Sequence, residues 1–427
     1  MAASASDALG LYISVPFCRS KCTYCNFASG VYPASEHARY VDRLIEDLRT
    51  SGKWAARMGV ELPRRVDSVY LGGGTPSLLA PELLNRLFTT IRAEFELEPE
   101  AEITVECAPG QLAEATLEAL TASGVNRVSL GVQSFIDREA AISGRLHSRD
   151  VVLEDLRRLR AAGIHNLNVD LIAGLAGQTF PSWEESLAML ANSGVPHASV
   201  YMLEVDQDSH LGREMLARGV RYQAGLVPAD DAIAQMYSVA IERLKQAGLE
   251  QYEISNFCRP GMESRHNLRY WRRRPYLGVG LDASSMLRAA DSNRVLRSTT
   301  SDDLKAYLAG CDPVETAWLT RTQQHEEAWF LGLRLNAGVE VAAVEREFDR
   351  ARLAPALQAV ERLVEAGLVV SDGKTVRLTA QGQLLSNDVF QEFLGLEAQE
   401  RAVGPTEKHH SLEPRTHSAL PSRLLML

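Results

Sequence analysis

Between residues 10 and about 250 the chain switches repeatedly between two hydrophobic periods. Short runs rich in Val, Ile and Leu predict β-strands over Leu11–Val15, Val66–Leu71, Ile103–Glu106, Val128–Val132, Leu167–Leu171 and Ser199–Leu203. Amphipathic helices fill the gaps. Val41, Leu44, Ile45 and Leu48 recur at helical spacing and form one apolar stripe. Leu153, Leu156 and Leu159 do the same, with Arg157, Arg158 and Arg160 on the wet side. Strand and helix alternating six times predicts parallel pairing through helical crossovers, and so an α/β fold closed as a partial barrel.

The strand ends carry chemistry. In Asn166-Leu-Asn-Val-Asp-Leu171, Leu167, Val169 and Leu171 point one way and Asn166, Asn168 and Asp170 the other, because side chains alternate along a strand. A parallel strand buried on both faces reads almost continuously apolar. The polar row therefore faces a wet cavity. Glu106 ends a second such run and Gln133 follows a third. Polar groups at the C-terminal ends of parallel strands line the active mouth of a barrel.

Periodicity weakens after residue 290. We read 1–290 as the core, 291–323 as a linker, 324–396 as a second module and 397–427 as a polar, disordered tail. The module holds helical runs and a hairpin, Val369-Val370 and Thr375-Val376 around Asp372-Gly373, which suggests a winged-helix-like α+β unit. Its seven basic and eleven acidic residues argue against DNA as its ligand.

Composition narrows the classes further. The chain has 427 residues, 45% apolar and 23% charged, which rules out disorder throughout and a disulfide-built mini-protein. A net charge of −10 opposes bulk attraction to nucleic acid or anionic lipid. No apolar run approaches the ~18 residues of a membrane span. The first basic residue is Arg19, unlike the start of a signal or transit peptide, so a cytosolic protein with reduced thiols is expected.

Six cysteines in such a chain point to a metal or to catalysis. Cys107, Cys258 and Cys311 are scattered and read as small core residues. Cys18, Cys22 and Cys25 form C-x3-C-x2-C on one loop after the first strand, with Arg19 and Lys21 at hand to stabilise thiolates. Thiolates suit zinc or an iron–sulfur cluster. Zinc would need a fourth protein ligand, for which His37 is the only local substitute. A four-iron cube held by three thiolates keeps one corner open. Chance proximity of three thiols is the remaining alternative.

The triad, followed after the second strand by Leu71-Gly-Gly-Gly-Thr-Pro-Ser77, resembles the radical S-adenosylmethionine (SAM) superfamily. Within it the chain is similar to the group of oxygen-independent coproporphyrinogen III dehydrogenases (HemN) and the related HemW-type heme chaperones. The likeness covers about residues 10–290 and runs more loosely into the module. It implies a partial (β/α)6 radical-SAM barrel, a [4Fe–4S] cluster on Cys18, Cys22 and Cys25, and SAM on the open iron. The positions matching the family's SAM pocket are Tyr12, Tyr24, Gly73, Gly74, Thr75, Glu106, Gln133, Arg145 and Asp170. The glycines would let backbone N–H groups approach a ligand. Arg145 would pair with the SAM carboxylate.

Two features separate the relatives. The dehydrogenases typically carry a further cysteine two places beyond the third ligand, where this chain has Phe27, and an N-terminal arm for which there is little room before Leu11. Ser264-Arg-His266-Asn267-Leu-Arg-Tyr270-Trp271 matches the H-N-x-x-Y-W motif that the resemblance associates with heme in HemW-type chaperones. Neutral imidazole ligates heme iron, and Tyr270 and Trp271 offer flat faces to a porphyrin. Arg269, Arg272, Arg273 and Arg274 flank the motif, and one or two of them are expected to bind heme propionates. Asn26 and Thr23 depart from the aspartate and proline frequent in the family. The expectation is thus a heme chaperone carrying [4Fe–4S], SAM and heme, whose partner is an acceptor apo-hemoprotein, a respiratory one among the candidates; whether it also cleaves SAM as an enzyme is left open. The alternative is a radical SAM coproporphyrinogen III dehydrogenase. Oligomeric state is left open, a homodimer included.

Overall fold

The computed structural model describes residues 8–290, 293–310 and 315–396. The chain divides into two compact units, Met1–Arg269 with Arg274–Trp318, and Tyr270–Arg273 with Leu319–Leu427.

Six parallel strands build the first unit: β1 (Leu9–Val15), β2 (Arg65–Gly73), β3 (Glu96–Cys107), β4 (Arg127–Gln133), β5 (Asn166–Ala173) and β6 (His197–Met202). They pair in chain order. The helices between them are α1 (Ala34–Met58), α2 (Pro81–Glu94), α3 (Glu114–Ala122), α4 (Asp137–Ile142), α5 (Arg149–Ala161) and α6 (Phe180–Ser193). All six expected strands are present. Leu167, Val169 and Leu171 are fully buried on the outer face of β5 against the helices, as a period of two requires. Val41, Leu44, Ile45 and Leu48 are buried along α1.

The α5 stripe differs from expectation. Leu153 is 36% exposed, and the buried positions are Val152, Asp155, Leu156 and Leu159. Asp155 is buried because its carboxylate accepts the Gly110 N–H at 2.6 Å and pairs with Arg158 at 3.0 Å. A polar residue with fixed partners thus occupies a core position that a hydrophobic pattern cannot reveal.

The sheet continues beyond the six strands. After β6 come α7 (His210–Leu216), α8 (Asp230–Gln246), β7 (Glu250–Glu253), β8 (Asn256–Cys258), α9 (Arg265–Trp271), β9 (Tyr276–Val279), β10 (Ser284–Arg288), β11 (Val295–Thr299), α10 (Leu304–Leu308) and β12 (Glu315–Leu319). β8 and β7 extend the β6 edge, and β9 to β12 extend the β1 edge, giving twelve strands. Residues 291–323, expected as a linker, therefore hold two sheet strands. Strands of five residues are too short to show a period. Cys107 and Cys258 are buried as expected; Cys311 and the 397–427 tail lie outside the described residues.

The second unit contains α11 (Arg321–Leu333), β13 (Val339–Glu340), α12 (Val341–Glu347), α13 (Arg350–Glu365), β14 (Val369–Ser371), β15 (Thr375–Leu378), α14 (Ala380–Leu384) and α15 (Ser386–Gln391). Its antiparallel sheet runs β13-β15-β14. The hairpin forms where the Asp-Gly signal stands: Asp372 accepts the Lys374 and Thr375 N–H groups at 2.9 and 2.7 Å. Trp329 stacks on Phe393 at 5.2 Å in its core.

Candidate functional site

The inner face of β1–β6 is polar through its depth. Tyr70 donates to Glu106 at 2.8 Å, Ser129 donates to Asp170 at 3.1 Å, and Asn168 donates to Ser199 at 3.0 Å. The upper groups, at the strands' C-terminal ends, are partly exposed; the lower ones are buried. Tyr12, Tyr70, Glu106 and Asp170 line the open upper part. The alternation read in β5 faces this well.

The cysteine loop crosses its mouth. Cys18 is tied to Gly30 O at 2.9 Å, and Thr75 N–H to Phe17 O at 2.8 Å. The Thr23 N–H donates to Ser143 O at 3.1 Å, a bond that the family's proline cannot make. Asn26 donates to Asp206 at 3.1 Å. Lys21 spends its ammonium on the carbonyls of Phe27 and Ser29, at 2.9 and 2.8 Å, so it braces the loop as well as lending charge. All three thiols are partly exposed. Burial pushes the Cys18 and Cys25 thiols up from the ordinary range. His37 stacks on Phe17 at 4.0 Å and is engaged there.

Among the described residues no three His, Cys, Asp or Glu side chains converge on a single ion. A cube would take each of the three thiolates on a separate iron.

Around the mouth, Arg145 donates to the Tyr24 hydroxyl at 3.3 Å, while its Nε is buried without a partner. Its Nη2 lies 2.8 Å from where a Cβ on Gly131 would stand. Tyr24 packs on a cluster of Ile172, Leu175, Leu203, Leu211 and Ala224. Gln133 closes β4 with φ 69°, a left-handed backbone rare outside glycine. Glu106 accepts the Gly73 N–H at 3.2 Å, and burial raises its carboxyl to about 7. At Gly74 a Cβ would stand 2.7 Å from Val15 O, so the close passage of the cysteine loop leaves no room for a side chain there.

The H-N-x-x-Y-W residues divide between the two units. His266 and Asn267 belong to the first unit, Tyr270 and Trp271 to the second. His266 is 1% exposed at the floor of the well. Its Nδ1 hydrogen-bonds Ser68 Oγ at 3.0 Å, and its ring stands 5.3 Å from Tyr70 and 6.5 Å from Tyr12. Burial lowers the imidazole to about 3, so it is neutral. Glu102 caps α9 by accepting the Arg265 and His266 N–H groups at 3.1 and 3.0 Å. Trp271 is buried with the Arg334 guanidinium 4.2 Å above its ring. The expected propionate arginines are partly committed elsewhere. Arg269 is buried against Asp67 and donates to Ala8 O and Pro275 O at 2.7 and 2.8 Å. Arg273 forks onto Glu347 at 2.9 and 2.5 Å. Arg272 and Arg274 are exposed. The sequence reading overlooked Glu102 and Arg127; a charged residue directly before a predicted strand was the available signal.

Comparisons with known proteins agree with this architecture. Residues 12–190 match the model of the radical SAM superfamily, and 319–385 that of the HemN C-terminal domain. A protein named heme chaperone HemW from Lactococcus lactis is 32% identical over 90% of this chain and 96% of its own length. Another of that name from Mycobacterium tuberculosis is 34% identical over 90% and 95%. A mouse protein, radical S-adenosyl methionine domain-containing protein 1, mitochondrial, is 31% identical over 92% and 88%. The solved structure of Escherichia coli coproporphyrinogen III oxidase (HemN), a radical SAM enzyme, covers 91% of this chain and 90% of its own at 24% identity, with a TM-score of 0.76. The fold is that of a radical SAM protein, and the chain belongs to that superfamily, in the group of HemN and the HemW-type heme chaperones. Among the described residues no helix is long and apolar enough to cross a membrane.

Proposed function

We propose that the protein is a cytosolic heme chaperone that carries a [4Fe–4S] cluster and SAM and hands heme to an acceptor apo-hemoprotein. Cys18, Cys22 and Cys25 would hold the cluster, which supplies an open iron for the amino and carboxylate groups of SAM and an electron for its cleavage. Tyr12, Tyr24, Gly73, Gly74, Thr75, Glu106, Gln133, Arg145 and Asp170 surround that position. Arg145 suits the SAM carboxylate, since its guanidinium has a buried nitrogen without a partner. Glu106 and Asp170 offer acceptors to amino and hydroxyl groups.

The observation favouring chaperone over dehydrogenase is Phe27, 53% exposed where the dehydrogenases carry a fourth cysteine. The naming of the relatives that span nine-tenths of the chain supports the same choice. Heme would reach the iron-ligating His266, beside Asn267, only when the first turn of α9 withdraws from Glu102 and Ser68; Tyr270 and Trp271 would offer aromatic faces to the ring. Gated uptake of this kind suits a carrier, whose cargo must be both held and released. The test is an anaerobic incubation of reconstituted protein with coproporphyrinogen III, SAM and reductant, beside a heme titration. No protoporphyrinogen and a Soret band weakened in His266→Ala are expected. Enzyme-like product formation would establish the dehydrogenase instead.

A further inference from the structure

Arg127 opens β4 on the inner face. Its side chain is 2% exposed, yet among the described residues it forms no ion pair or hydrogen bond, and its Nε is buried without a partner. Arginine cannot shed its proton at any physiological pH. Burying such a charge unpaired costs several kcal/mol, far more than a surface charge. Three carboxylates lie along the wall and none hydrogen-bonds Arg127, although its charge favours the ionised Asp170; Glu253, also fully buried, accepts from Ser255 and Asn256. Glu102 caps α9, Glu106 takes Tyr70 and Gly73, and Asp170 takes Ser129 and Asn168. His197, also near, is neutral and bonded through both nitrogens, to Asn168 at 2.6 Å and Tyr252 at 2.9 Å. The register partner Asn166 offers only an uncharged carbonyl. The other register partner is Thr104, whose hydroxyl is likewise fully buried with no partner. A cation and a hydroxyl donor thus stand side by side, short of one acceptor with negative charge.

We propose that Arg127 and Thr104 form a carboxylate-binding subsite deep in the well, which receives a propionate arm of the guest held above it. The carrier of that arm, a tetrapyrrole, rests on the proposed function; the subsite itself rests on the unpaired guanidinium. It also relocates the propionate contact, since Arg269 and Arg273 are already committed. Bidentate donation from a guanidinium to a carboxylate fits the need, and a neutral guest would leave the charge unanswered.

The test uses the full-length protein and three probes. Sodium propionate against matched sodium chloride should raise the melting temperature of wild type and of Arg127→Lys, and leave Arg127→Met unmoved. Hemin should bind wild type at least ~10-fold more tightly than hemin dimethyl ester, as a charge-assisted hydrogen bond implies, and Arg127→Met should bind both alike. Coproporphyrin III, with four carboxylates, distinguishes cargo from substrate by whether it outcompetes hemin. If propionate stabilises wild type and Arg127→Met equally, or hemin and its ester bind wild type equally, the subsite is overturned and Arg127 is a water-satisfied structural group. If propionate acts only through Arg127 while no hemin binds, the subsite stands and the heme reading falls.

Discussion

The mouth and the floor of the same barrel hold residues of the two motifs that the sequence singled out, and they are built in opposite ways. At the mouth, the cysteine loop is held by backbone bonds while its three thiols stay partly exposed, and Arg145 keeps a nitrogen in reserve. At the floor, the polar groups of His266 and Arg269 are already used: His266 on Ser68, its N–H on Glu102, Arg269 on Asp67. The scaffold fixes the mouth by backbone bonds and leaves its three thiols partly exposed, but it consumes His266 and Arg269 at the floor. A ligand at the floor must displace part of the fold.

The largest effect expected from this contrast is at the mouth. Replacing any of Cys18, Cys22 or Cys25 by alanine should abolish cluster assembly, read as iron and sulfide content, with the melting temperature of the cluster-free protein hardly changed. Next comes the floor. Arg269→Met should cost about 3–5 kcal/mol in denaturant unfolding, because it strands Asp67 and two carbonyls. A cost below about 1 kcal/mol would show that the floor is looser than described. Heme association should then report the gate: its observed rate should level off at high heme concentration, limited by opening of α9. A rate rising linearly without limit would place the heme on an already open face.

The smallest effect concerns Glu106. Its carboxyl is raised from the ordinary range to about 7, burial being the main cause, so it is protonated below that pH and ceases to accept from a charged amine. SAM affinity should rise a few-fold with pH up to about 7 and then flatten. Glu106→Gln should remove the slope. The same shift makes this group's contribution to stability fall as pH rises from the carboxylate's ordinary 4.5 to about 7, since the folded form holds the proton more tightly.

Much of this was legible in the sequence. Six strands and the hairpin follow from β-branched runs and one Asp-Gly turn, signals that packing does not override. The polar row Asn166, Asn168, Asp170 announced the wet well before any geometry was known. The β9–β12 extension was not legible, because four- and five-residue strands interrupted by Gly278 and Gly280 carry too little pattern. Nor was the difference between mouth and floor. Whether His266 faces a guest or Ser68 depends on a strand some two hundred residues away, and no local spacing encodes it. Asp155 and Arg127 were missed for a related reason: a charged residue reads as surface until its partners, or their absence, are seen.

The most direct test of the account is the spectrum of the anaerobically reconstituted protein with and without SAM. Broad absorbance near 400 nm that dithionite bleaches, with a reduced-cluster EPR signal that SAM alters, is the expected result. A colourless protein, or a cluster whose signal ignores SAM, would contradict a cube held by Cys18, Cys22 and Cys25 with one corner open.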